Sequence, residues 1–318
     1  MKKETLGLWL GVLGVTVFAF SLPMTRLAVG SVDAPQLSGA FVALGRAAVA
    51  GLLSLAYLAL TRAPWPARGD WLWILCTSAG VVFGFPLLTS VAMRHVEGVH
   101  ASVMLGVLPL ATAAVGALMA RQRPSAGFWL CAVAGSACVI GFALLKNSAS
   151  GVAVGAPATG LGLHLPVHLQ LADGLLLMAM LCAALGYATG ARLSTRLRAD
   201  HVICWALVVG LPVNMPAALV LWPSTAITSV AWWGFAYVSV FSMWLGFFAW
   251  YRGLALGGTV RVSQVQLIQP FMSMLVSVPL LGETLDALTL GFGLVVIVTV
   301  FAGKRMPVHP APSQTMPR

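Results

Sequence analysis

Polar and charged residues interrupt this 318-residue chain only briefly, between long apolar runs. The runs fall at roughly 6–29, 36–60, 70–92, 99–120 and 125–145, and again at roughly 172–192, 202–222, 227–251, 260–281 and 285–303. Each is about as long as the ~20 helical residues needed to cross a hydrocarbon layer of about 30 Å. Backbone groups in lipid must pair internally, so only helices and closed barrels can cross. The runs are too long and too evenly apolar for barrel strands. The pattern predicts an all-α polytopic membrane protein with ten transmembrane helices.

Composition agrees with that reading. Hydrophobic residues make up 59% of the chain and charged residues 8%, against about 25% charged in soluble domains; mean hydropathy is +0.94. These values exclude a soluble enzyme and a disordered chain. The net charge of +10 does not point to nucleic acid, because the basic residues are scattered thinly between apolar blocks. They set orientation instead, since cytoplasmic loops collect Lys and Arg. With the N-terminus inside, the inside segments hold 14 of the 18 basic residues, and the outside segments hold only Arg26, Arg94 and Lys146. This predicts both termini in the cytoplasm of a bacterial inner-membrane protein. Met1-Lys2-Lys3 before an apolar run mimics a signal peptide, but no small-residue cleavage site follows, so the run is expected to stay as the first span. The five cysteines lie in apolar runs without CxxC spacing, which argues for packing and against disulfides or zinc.

The segment 146–171, rich in Gly, Ala and Pro, divides the spans five and five. The expected units are a first repeat at 1–145, an extracytoplasmic linker at 146–171, a second repeat at 172–303 and a cytoplasmic tail at 304–318. An odd number of spans per half makes the halves insert in opposite directions, as in inverted-repeat transporters. A shift of 161 places Val99, Ser102, Pro109, Val115 and Ala126 on Val260, Ser263, Pro270, Val276 and Ala287. The mid-helix prolines carry most of the weight of this match, and they make spans four and nine equivalent.

At this point the chain resembles a known family. Trp250-Tyr251-Arg252-Gly253-Leu254-Ala255, then Gln269-Pro270, then Leu281-Gly282-Glu283-Thr284-Leu285 look like the second repeat of EamA-type transporters, of the drug/metabolite transporter superfamily. Pro109 matches in the first half, and Arg46 falls where the family often has an arginine in helix two. Where Gly282-Glu283 stands in repeat two, repeat one has Arg121-Gln122, so the family's glutamate occurs once. The resemblance implies ten helices around a central cavity lined by spans one to four and six to nine. It also implies export or exchange of small metabolites, often amino acids.

Candidate chemistry is sparse. Arg46 is the deepest charge, about ten residues into its span. A charge there is costly unless paired or hydrated, so Arg46 either attracts a carboxylate of the solute or braces neighbouring helices. The eight acids (Glu4, Asp33, Asp70, Glu97, Asp173, Asp200, Glu283 and Asp286) all fall at span ends or in loops. That favours facilitated efflux or exchange over carboxylate-coupled transport, with Glu283 either capping span ten or standing as a coupling candidate. In span nine, Ser263, Gln266, Gln269, Pro270, Ser273 and Ser277 share one helical face, suited to cavity lining or to bonds between helices. Pro270 is expected to kink this helix, and Pro109 its counterpart in span four. Span eight carries Trp233, Tyr237, Phe241, Trp244, Phe248 and Tyr251 on one helical face, either an aromatic wall for the solute or simple lipid and helix packing. Phe20, Ser21 and Tyr187 lie at mid-depth in spans one and six. The substrate-binding candidates are therefore Arg46, Phe20, Ser21, Tyr187, Tyr237, Trp244, Gln266, Gln269 and Ser273.

His164 and His168 sit four apart around Pro166, a weak pattern, and no metal site, cofactor or catalytic residue is expected. The expected function is a secondary transporter for a small organic solute. An intramembrane lipid-modifying enzyme and a passive pore are the alternatives. The expected partners are the solute and the lipid bilayer, with no nucleic acid, and a monomer is favoured over a dimer.

Overall fold

A computed structural model describes residues 3–119, 123–127, 171–258, 264–282 and 287–304, with short pieces at 129–130, 133–134, 137–138, 262, 285 and 308–309. Helices dominate. Seven are long and apolar enough to cross a membrane: α1 (Lys3–Val29), α2 (Gly39–Leu60), α3 (Arg68–Ala92), α4 (His100–Met119), α5 (Leu171–Leu193), α6 (Ala199–Val220) and α7 (Ser229–Gly257). Two more follow, α8 (Gln269–Leu281) and α9 (Ala287–Lys304). Helices α1–α4 correspond to the first four expected spans and α5–α9 to spans six to ten. The expected fifth span and the linker 146–171, with His164 and His168, lie largely or wholly outside the described residues. So does Glu283. Among the described residues β pairing is limited to a two-residue antiparallel ladder, Arg123 and Pro124 with His309 and Val308, and an isolated bridge between Gly30 and Pro35.

Several helices are not regular. α1 breaks at Phe20, between stretches Lys3–Ala19 and Ser21–Val29. α3 widens into a π-helical segment at Ser78–Gly84, and α7 does the same at Val238–Leu245. These segments occupy matching positions in the two halves. A π segment takes extra residues per turn, leaves carbonyls without their usual partners and shifts every side chain beyond it. α4 tightens into a 3-10 turn at Leu105–Val107 just before Pro109, and a 3-10 turn at Gln264–Ile268 precedes Pro270. Proline lacks the N–H and clashes with the preceding turn, so both helices break where the sequence places their prolines.

Close helix crossings depend on glycine. α1 lies against the end of α7 through Gly7, Gly11 and Gly14, and a Cβ on Gly7 would stand 2.5 Å from the Gly257 nitrogen. Small residues at this spacing let backbones approach where the hydrophobic effect gives helices no reason to associate. Helix starts are fixed by hydroxyl caps. Ser38 Oγ accepts from the Phe41 N–H at the start of α2, and Thr228 Oγ1 accepts from the Ala231 N–H at the start of α7. Gln36 Oε1 in turn accepts from both the N–H and the hydroxyl of Thr228, tying the two starts together.

Candidate functional site

Arg46 sits in the middle of α2 and is 2% exposed. Its Nη2 donates to Ser242 Oγ at 3.0 Å, and that hydroxyl lies 2.6 Å from Ser21 Oγ. Among the described residues, Nε and Nη1 of Arg46 have no partner. The chain of contacts joins α2, the π segment of α7 and the start of the second half of α1. Ser21 reaches the site because the α1 break falls at Phe20, immediately before it. Ser242 reaches it because the π turn rotates that stretch of α7 inward.

These groups border a narrow interior cavity walled also by Phe18, Tyr187, Phe247 and Gln269. It leaves about 10 Å³ for the centre of a water molecule, roughly room for one water. The arrangement is nearly occluded. Phe18, Tyr187 and Phe247 form an aromatic cluster, with ring centroids 5.0 Å apart for Phe18–Phe247 and 6.0 Å for Tyr187–Phe247. Trp250 closes it from behind, 5.5 Å from Tyr187. α3 contributes Val81 and Phe85. α3 comes close to α5 at Gly80 and Gly186; a Cβ at Gly80 would lie 2.5 Å from the Cys182 carbonyl oxygen.

Of the nine binding candidates, Arg46, Ser21, Tyr187 and Gln269 border this cavity. The other five lie elsewhere. Phe20 packs on Tyr237, whose hydroxyl donates to the Val17 carbonyl. Trp244 packs on Tyr57 and Phe248, to one side. Ser273 donates to the Ala19 carbonyl, bridging α8 and α1. Gln266 is 1% exposed in the 3-10 turn before Pro270, and its amide nitrogen and oxygen have no partner among the described residues. The expected aromatic face of span eight is split by the π segment. Trp233 is 76% and Phe241 47% exposed, whereas Phe247, Trp250 and Tyr251 are buried.

Sequence reasoning missed Ser242, Phe247, Val81 and Phe85, all within or just after the two π segments. It also missed a buried pair at the opposite end from the chain start. His100 Nε2 lies 2.6 Å from Asp173 Oδ1, joining the first turns of α4 and α5, and both side chains are buried. Asp173 falls at a span end, as expected, yet it is fully enclosed. No cluster of three His, Cys, Asp or Glu is gathered for a metal among the described residues.

Two segments, 5–145 and 170–302, each match the model of the EamA-like transporter family. The chain belongs to this family. It is 41% identical over 307 residues to the "Uncharacterized transporter YdeK" of Bacillus subtilis (strain 168), with 96% of this chain and 99% of that protein covered. A solved crystal structure matches over 95% of this chain and 96% of its own, with a TM-score of 0.60 at 16% identity; that likeness shows the fold alone. As an EamA member the chain is a multi-pass membrane protein of transporter type rather than of enzyme type. Within that frame, the cavity around Arg46 is the interior point where α1, α2, α3, α5, α7 and α8 converge.

Proposed function

We propose that this EamA protein is a secondary transporter that exports or exchanges a small organic solute bearing a carboxylate, by alternating access across the bacterial inner membrane. The observation that carries the reading is Arg46, a buried guanidinium with two nitrogens unpartnered among the described residues, on a cavity whose described lining holds no acid. A buried charge without a counter-charge costs several kcal/mol, and a planar guanidinium presents a fork that matches a carboxylate. Ser21 and Ser242 hold the fork in place. Tyr187, Phe18 and Phe247 offer ring faces to the rest of the solute, and Gln269 a free acceptor oxygen.

Alternating access is supported by the matched irregularities of the two halves. π segments in α3 and α7, and proline breaks in α4 and before α8, are points where helices can bend without losing further backbone bonds. We read 1–145 and 172–303 as two inverted repeats joined outside the membrane by 146–171, with both termini in the cytoplasm, an orientation supported by the bias of basic residues. The near-closed cavity then corresponds to an occluded arrangement.

Proteoliposomes holding the full chain, assayed with a panel of labelled amino acids, other monocarboxylates and cationic dyes, test the reading. Saturable counterflow of a carboxylate supports it. Linear, non-competing flux would mean a pore, and preference for cations without carboxylates would remove Arg46 from the site.

A further inference from the structure

A second and larger cavity lies apart from the Arg46 site. It holds about 830 Å³, within the range of about 300–1,000 Å³ typical of small-molecule sites. It opens at the end of the bundle where α1 begins and α7 ends. Its apolar floor is formed by Leu10 and Leu13 of α1 and Leu245 and Ala249 of α7. Leu13 is 55% and Leu245 39% exposed, so this floor faces the lipid rather than the protein interior. Its rim carries Tyr57, Arg198, Asp200 and Arg252.

The charges on the rim do not cancel. Arg198 donates to both oxygens of Asp200, at 2.7 and 3.3 Å, and Tyr57 Oη donates to Asp200 Oδ2 at 2.7 Å. That triad is neutral in sum and ties α2 to the start of α6. Arg252 is exposed and has no ion-pair partner among the described residues. It stands five residues before the end of α7, about 7.5 Å along the axis, toward one end of a helix long enough to cross a membrane. The groove therefore combines an apolar trough along the helices with one net positive charge nearer their ends.

We propose that this groove binds one anionic phospholipid, with an acyl chain over Leu10, Leu13, Leu245 and Ala249 and the phosphate on Arg252. Water cannot favourably fill an apolar trough, whereas an acyl chain can. A monoanionic headgroup complements the single uncompensated charge, and basic pockets between membrane helices hold such headgroups. A zwitterionic headgroup brings its own cation to the same rim. The site does not depend on which solute is carried.

The test is native mass spectrometry of the full chain released from detergent in the presence of equal phosphatidylglycerol and phosphatidylcholine, paired with thermal unfolding in each lipid. The expected result is one retained phosphatidylglycerol in preference to phosphatidylcholine, and a higher Tm in phosphatidylglycerol. Arg252→Ala should weaken retention roughly fivefold and remove the Tm difference, while Arg252→Lys keeps most of both. Leu13→Trp fills the trough from an exposed position and should lower retention of both lipids without unfolding the protein. Equal retention of the two lipids by the parent, or unchanged retention in both Arg252→Ala and Leu13→Trp, overturns the proposal. So does a protein dimer in place of the lipid adduct, because the groove would then seat a second copy.

Discussion

Arg46 Nη2 donates to Ser242 Oγ across 3.0 Å, and the two residues are 196 positions apart in the chain. The contact spans the two family matches, one from 5–145 and one from 170–302. A guanidinium from one half is thus oriented by a hydroxyl from the other, at the cavity where both meet. Any change in how the halves pack would change what Arg46 can reach.

Arg46→Gln should abolish or strongly weaken carboxylate transport while folded protein is still made, since an uncharged amide replaces a buried charge that lacks a full set of partners. Arg46→Lys should retain part of the activity, because charge survives while the fork does not. Transport by reconstituted variants, normalised to monodisperse protein, checks this. Loss of folded protein in both variants would assign Arg46 to bracing the bundle.

Ser242→Ala isolates the orienting contact. Removing a hydroxyl that bonds a charged group typically costs about 1.5–3 kcal/mol, so the apparent solute constant should rise roughly tenfold or more. Ser21→Ala, one bond further out, should have a smaller effect. Equal effects on Tm and none on transport would place the Ser21–Ser242–Arg46 chain in structure alone.

How much of this was legible in the sequence depends on helix regularity. Arg46, Ser21, Tyr187 and Gln269, which border the cavity, stand out in the sequence because a charge or dipole at mid-depth contrasts with an apolar run wherever the helix turns. The prolines stand out for a different reason, the missing N–H that breaks a helix wherever it falls, and each follows a 3-10 turn. Ser242 and Phe247 do not stand out, because projection at 100° per residue assumes a regular helix, and the π segment Val238–Leu245 shifts the face of α7. Tyr237 and Trp244 were assigned to the cavity by the same projection and lie off it. The His100–Asp173 pair joins residues 73 apart. No local pattern announces such a pair, since each residue alone reads as an ordinary polar group at a span end.

His100 and Asp173 should matter for stability. Both are buried and bonded across α4 and α5, and removing one partner of a buried hydrogen bond typically costs about 1–3 kcal/mol. His100→Ala and Asp173→Ala should each lower the Tm by several degrees, and the double variant by less than the sum. Additive losses would show that the two side chains act separately.

The topology is open to a direct check. A thiol introduced at Ala156, in the linker, should react with an impermeant reagent added outside intact cells, and one at Ala67 should not. Labelling at Ala67 in place of Ala156 would invert the orientation and move the groove at Arg252 to the outer leaflet.

Gln266 offers the sharpest separation of binding from structure. It is 1% exposed, and neither amide atom has a partner among the described residues, although it lies one turn before Pro270, where a backbone carbonyl is freed. A buried amide left unpaired costs free energy, so a substitution that removes it without changing volume should not destabilise the fold. Gln266→Leu should therefore leave the Tm at or slightly above the parent value. If opening of the cavity turns the amide toward the solute, the same variant loses one hydrogen bond in the loaded state, worth about 0.5–1.5 kcal/mol. The apparent solute constant should then rise by about 2- to 13-fold. Transport should persist when the proton gradient is collapsed, since the cavity's described lining holds no carboxylate. A lower Tm with unchanged affinity would place Gln266 between helices rather than on the solute path. Loss of uphill export on adding an uncoupler would mean that a proton is bound elsewhere, and Asp173, buried against His100, would be the first acid to replace.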